Sequence, residues 1–232
     1  MIDQAKAPRQ EASLPSQFEY KVTYVPARTK FAFGMTEIRD LAIAALLVSG
    51  VGLSMLGLEL LNIQPLLVVL LLALFTSTFL MHEIAHKITA QHYGLWAEFR
   101  LTLIGALITL LSVISPFFKI IAPGAVMIGG TASKETIGKT SIAGPLTNIV
   151  FCMVAITLTF VLPSSSPLAE VAAVTAFFNA FIAVLNLIPI GILDGWKVFQ
   201  WSKIIWALAF ITSIILISAL LAQPQYRSLL GF

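Results

Sequence analysis

Five largely apolar stretches of about twenty to thirty residues decide what this chain can become, because each is long enough for a membrane-crossing helix. They cover 41–61, 64–93, 141–162, 168–188 and 198–222. With 58% hydrophobic residues, 11% charged residues and a mean hydropathy of +0.94, too few charges remain to coat a water-soluble globule. The reading is an all-α polytopic membrane protein with five to six transmembrane helices, multi-pass and integral to the cell membrane. The 232 residues suit one bundle. It divides into a cytoplasmic N-terminal segment (1–37), a membrane core (38–222) and a C-terminal tail (223–232). The first 37 residues are polar and mixed in charge, unlike a secretory leader. Alternating apolar residues from Phe18 to Phe33 suggest an amphipathic hairpin on the membrane surface, with a partly disordered tail as an equally good reading.

The segment 101–126 does not fit the helical pattern. Its apolar part is short, and Gly105, Pro116, Pro123 and Gly124 interrupt it. Thr102, Ile104, Ile108, Thr109, Val113 and Ile114 favour strands. The expectation is a membrane-embedded re-entrant or β-strand segment between the second and third helices. Non-helical backbone at that depth must be buried in protein or line a water-filled cavity, so the segment is expected to wall a site. An ordinary helix kinked at Pro116 is the alternative.

The chemistry begins at His82-Glu83-Ile84-Ala85-His86, following a run from Pro65 to Met81 without a charge. This H-E-x-x-H pattern places two imidazoles on one helical face with a carboxylate beside them. Ionisable groups in a membrane-length helix mark function by default. Two histidines make half a zinc site, and a third protein ligand is needed. His92 has the metzincin spacing, but Thr89 replaces the glycine that would turn the chain back. Glu59 and Glu98 fit solvated positions better. Asp194 is the strong candidate: it follows Pro189 and Gly191, which break a helix, and a carboxylate there needs a cation. An N-cap of the last helix would be its ordinary reading, which the pairing with H-E-x-x-H reverses. Cys152, the one cysteine, reads as a small buried hydrophobe.

H-E-x-x-H in one membrane helix followed by Asn186-x-x-Pro189-x-x-x-x-Asp194-Gly195 in a later one resembles the site-2 protease family, intramembrane zinc metalloproteases of peptidase family M50. Gly144-Pro145-x-x-Asn148 resembles a further element of that family. Gly191 stands where many relatives have a second proline, and no PDZ or CBS domain fits the loops. The resemblance implies His82, His86 and Asp194 as ligands of one Zn2+ per chain and Glu83 as general base. It implies single-span membrane proteins in the lipid bilayer as substrates, cut within their transmembrane segments. Asn186 is a candidate donor to the oxyanion, and Asn148 a weaker one, for which an interhelical hydrogen bond is at least as good a reading.

Charge placement predicts orientation. With the N-terminus inside and five spans, thirteen of the fourteen basic residues fall on the cytoplasmic side. The active site then lies toward the cytoplasm. Seventeen steps from Pro65 to His82 at about 1.5 Å put the pentad roughly 25 Å through a core about 30 Å thick. The basic residues form no stripe for nucleic acid. Other readings of the same residues are a metal-binding membrane transporter, an inactive relative that only binds membrane clients, and a membrane zinc peptidase acting on soluble substrates.

Overall fold

A computed structural model describes residues 32–56, 65–163 and 166–223. The expected surface hairpin before residue 32 and Glu59 lie outside the described residues. The order is α1 (Met35–Ser54), α2 (Pro65–His92), β1 (Trp96–Leu101), α3 (Leu103–Ile114), β2 (Gly124–Gly129), α4 (Lys134–Val161), α5 (Pro167–Leu187), α6 (Asp194–Trp201) and α7 (Lys203–Ala222). Among the described residues, four helices are long and apolar enough to cross a membrane: α2, α4, α5 and α7. α1 is 20 residues long but carries Glu37, Arg39 and Asp40 near its start.

The central layer is aromatic and aliphatic. Leu71, Phe75 and Phe79 of α2 pack between Val48 and Val51 of α1 and Phe178 and Ile182 of α5. The Phe75 and Phe178 rings lie 4.4 Å apart, tilted rather than stacked, as ring quadrupoles favour. α5 buries small residues, Ala172, Ala173, Ala176, Ala180 and Ala183, so neighbouring helices approach closely.

The segment after α2 departs from expectation. Ile104, Ile108, Thr109, Val113 and Ile114 lie in a helix, α3, and Thr102 is its N-cap, accepting from Gly105 N. The strands fall on either side. β1 and β2 form one antiparallel pair, with Phe99 opposite Val126 and Leu101 opposite Gly124. Helix wins over β propensity because it satisfies its own backbone, whereas a lone strand in an apolar setting would not. Only Gly105, Thr109 and Ser112 of α3 are buried, one stripe at helical spacing. Ala122 N donates to Thr109 Oγ1 and Ile120 N to Ser112 Oγ, which pins the returning chain to α3.

β1 lies antiparallel along the second half of α2. Leu95 and Ala97 pack on Ala90, and the Phe99 ring meets Phe79 edge-on. Its outer edge is closed by α1. Phe99 N donates to Glu37 Oε1 at 3.0 Å and Leu101 N to Asp40 Oδ2 at 3.3 Å. Glu37 also accepts from Lys87 Nζ at 2.5 Å, a pair almost wholly removed from solvent.

The last expected span, 198–222, divides at Ser202, which is extended (φ −148°) and caps α7 by accepting from Ile205 N. The short helix α6 precedes it, with Asp194 as its first residue rather than its cap.

Candidate metal centre

His82, Glu83 and His86 lie on α2, with His82 and His86 buried and Glu83 partly so. Asp194 arrives from the other side of the bundle. α5 ends at Leu187, Gly191 takes a left-handed turn (φ +58°), and α6 begins at Asp194. The break is held from α7, where Trp206 Nε1 donates to Leu187 O at 2.8 Å. Gly195 permits this seat: a Cβ there would stand 2.7 Å from Ile188 O and nearer still to Leu187 O. The Asp-Gly pair therefore has two jobs, a carboxylate to aim and a bare backbone to pack.

The three side chains meet. His82 Nε2 and His86 Nε2 are 3.0 Å apart, and Asp194 Oδ2 lies 3.4 Å from the first and 3.0 Å from the second. Among the described residues, these are the three that could together hold a metal ion. Protons decide whether a cation fits. His86 Nδ1 is 2.7 Å from Thr140 O, and His82 Nδ1 is 2.5 Å from Asn148 Oδ1. Both partners accept, so each neutral ring carries its proton on Nδ1 and leaves a lone pair on Nε2. Two nitrogen lone pairs and a carboxylate oxygen then crowd one point. That is repulsive without a cation and suits Zn2+, which takes nitrogen and oxygen donors of this kind. The outer ring nitrogens are held by hydrogen bonds, as ligating histidines usually are.

Three further contacts shape the centre. Lys197 Nζ lies 3.5 Å from Asp194 Oδ1, opposite the oxygen that faces the imidazoles. Glu83 lies within electrostatic reach of His82, Asp194 and Lys197. Gly144 of α4 sits against the imidazole tips: a Cβ there would be 2.6 Å from His82 Nε2 and nearer still to His86 Nε2.

His92 ends α2, exposed and edge-on to Tyr93, outside the cluster. Glu98, expected at a solvated position, is instead buried, its carboxylate satisfied by Arg100 on β1. Asn186 donates from Nδ2 to Ile182 O one turn back. Asn148, considered from sequence as an oxyanion donor, instead faces an imidazole. Sequence reasoning missed Lys197, Thr140 and Asn179, whose amide bonds Asn148. Asn179 had a legible signal, an amide midway along a largely apolar helix of membrane-crossing length. Thr140 had none, because its carbonyl acts and not its side chain.

No family model matches the chain, and no solved structure gives a significant match. A curated protein of Methanocaldococcus jannaschii, named "putative zinc metalloprotease", is 32% identical over 179 residues, covering 77% of this chain and 91% of that protein. An alignment of that identity and coverage, on a chain that gathers H-E-x-x-H and an aspartate at one point, places it in a family: the chain belongs to the family of that zinc metalloprotease.

Proposed function

We propose that this protein is an intramembrane zinc metalloprotease of the site-2 protease type, cutting peptide bonds within transmembrane segments of membrane-anchored proteins. One observation carries the reading. The His82–His86–Asp194 cluster is assembled from α2, itself a candidate span, and from the break after α5, another candidate span. A site built between such helices meets substrates that already lie in the bilayer. We place it in the cell membrane with its active site toward the cytoplasm, on the distribution of basic residues.

His82, His86 and Asp194 would hold one Zn2+. When bound, the ion supplies a Lewis acid that acidifies water and polarises the scissile carbonyl. Glu83, beside the first ligand on the same helix, takes the proton from the attacking water and later delivers it to the leaving amide nitrogen. Lys197 holds the far oxygen of Asp194 and so keeps Oδ2 turned toward the imidazoles. Asn186 is the proposed oxyanion donor, through the amide hydrogen that Ile182 O does not take.

A helical substrate must unwind to be cut, and pairing with a sheet edge would hold it extended. The β1 edge is occupied by Glu37 and Asp40. Phe99 N points away from β2, so Phe99 and Val126 form a non-hydrogen-bonded pair, and every second pair does likewise. Val126 and Ile128 of β2 therefore aim their N–H and C=O groups away from β1, at an edge that no strand among the described residues pairs with. That edge is the proposed substrate seat, on a sheet that packs against Phe79 and Ala90 of α2, the residues that flank His82 and His86 in sequence.

The test is zinc analysis of purified protein with cleavage of a single-span substrate, wild type against Glu83→Ala. Zinc retained with cleavage abolished is the expected result. Unchanged cleavage in Glu83→Ala overturns the mechanism, and cleavage confined to soluble peptides overturns the substrate class. A metal transporter would keep its activity in Glu83→Gln.

A further inference from the structure

A buried amide relay crosses three helices behind the metal centre. It starts at Thr175 O in α5, which can only accept a hydrogen bond. The end of Asn179 that meets it, at 2.9 Å, is therefore Nδ2. The same Nδ2 also reaches Thr78 Oγ1 of α2 at 3.2 Å. Asn179 Oδ1 must then face the other way, where Asn148 Nδ2 of α4 donates to it at 3.0 Å. That leaves Asn148 Oδ1 to meet His82 Nδ1. Each step has one solution, because an amide has a donor end and an acceptor end. Asn148 and Asn179 are completely buried, and no bulk water can substitute for either partner.

We infer that Asn179, which touches no atom of the proposed catalytic groups, is a positioning residue: by fixing which end of the Asn148 amide faces His82, it holds the proton on Nδ1 and keeps Nε2 open to the metal. His86 needs no such device, since its partner is a backbone carbonyl that cannot turn round. His82 does need it. A free Asn148 amide can rotate to offer Nδ2, and the imidazole then answers with a lone pair on Nδ1 and a proton on Nε2. That tautomer cannot ligate. The relay thus orients the first histidine of the pentad from two residues outside it. Its anchor is a main-chain carbonyl in α5, the helix whose break delivers Asp194.

The inference concerns His82 in the protein itself, and only its affinity arm rests on the metalloprotease reading. Asn179→Leu keeps the side-chain shape and removes both ends of the amide. Two measurements follow. In metal-free protein labelled with 15N-histidine, at a pH alkaline enough that the imidazoles are neutral, NMR reads the His82 tautomer: wild type should show Nδ1–H, and Asn179→Leu a larger population of Nε2–H. Chelator competition should show zinc affinity reduced about tenfold or more, the scale of losses at residues that support metal ligands. Asn148→Asp supplies the decisive background, because a carboxylate accepts at both ends and cannot be misaimed. There, Asn179→Leu removes an amide oxygen that would face the carboxylate, so it should not lower affinity. An Nδ1–H signal unchanged in Asn179→Leu overturns the inference. So does an equal loss of affinity in both backgrounds, which would mean damaged packing and not a lost direction. If wild type bound no zinc at all, the metalloprotease reading would fall, while the tautomer measurement would still judge the relay.

Discussion

Gly144→Ala tests how closely the bundle is fitted around the metal centre. An ideal Cβ at 144 would stand 2.6 Å from His82 Nε2 and 2.7 Å from His82 Cε1, with His86 Nε2 closer. Ordinary contact begins at 3.4 Å, so His82 or α4 must give way by about 0.8 Å, and His86 by more. Ligand distances in a zinc site hold to within about 0.2 Å, so the shift is several times what coordination tolerates. Zinc affinity should fall on the order of 100-fold, at the upper end of what disturbed supporting residues cause. The assay is competition with a chromophoric chelator in detergent, with metal content after dialysis as a second reading. Gly52→Ala is the matched control. It lies on α1, away from the three ligands, and its Cβ would meet the Phe75 ring at 2.5 Å, so it should lower thermal stability without lowering zinc affinity. Wild-type zinc affinity in Gly144→Ala would refute the claim that α4 is seated against the imidazole tips.

Three other perturbations separate the parts of the proposed mechanism. Glu83→Gln should retain zinc and lose about 100-fold to 10,000-fold in turnover, the usual contribution of a general base, measured as single-turnover cleavage at saturating enzyme; a loss of zinc would make Glu83 a structural residue instead. Asn186→Ala should lower kcat by about 100-fold to 1,000-fold with zinc binding unaltered, and wild-type kcat would remove it from the oxyanion site. Val126→Pro removes an outward N–H and should impair cleavage with zinc bound and fold intact, whereas Met127→Pro should disrupt the β1–β2 pairing itself, seen as a lower melting temperature. Full cleavage in Val126→Pro would exclude the β2 edge as the substrate seat.

The segment between α2 and α4 shows where local signals fail. Its β-branched residues argue for strands one at a time, but a strand has no partner within itself. Thr102 capping and the buried Gly105, Thr109 and Ser112 stripe make α3 self-sufficient, and the strands form only where β1 and β2 find each other. The break at Ser202 was hidden for a similar reason: apolar composition continues across it, while the backbone turns so that α6 can hold Asp194.

By itself the sequence determined what depends on composition and on near neighbours. Apolar runs of helical length set the membrane-type bundle, the i, i+4 spacing set His82 and His86 on one face, and Pro189 with Gly191 set a broken helix before Asp194. Tertiary structure alone decided what depends on distant groups. A proton's place on an imidazole is chosen by the atom opposite its other nitrogen, and for His82 that atom is 66 residues away in sequence and oriented by Asn179, 97 residues beyond the ring. The closure of the β1 edge by Glu37 and Asp40 is of the same kind, since a carboxylate in one helix and a backbone N–H in a strand carry no shared local signature. Types of ligand are written in residues; the lone pairs that make them ligands are set by packing.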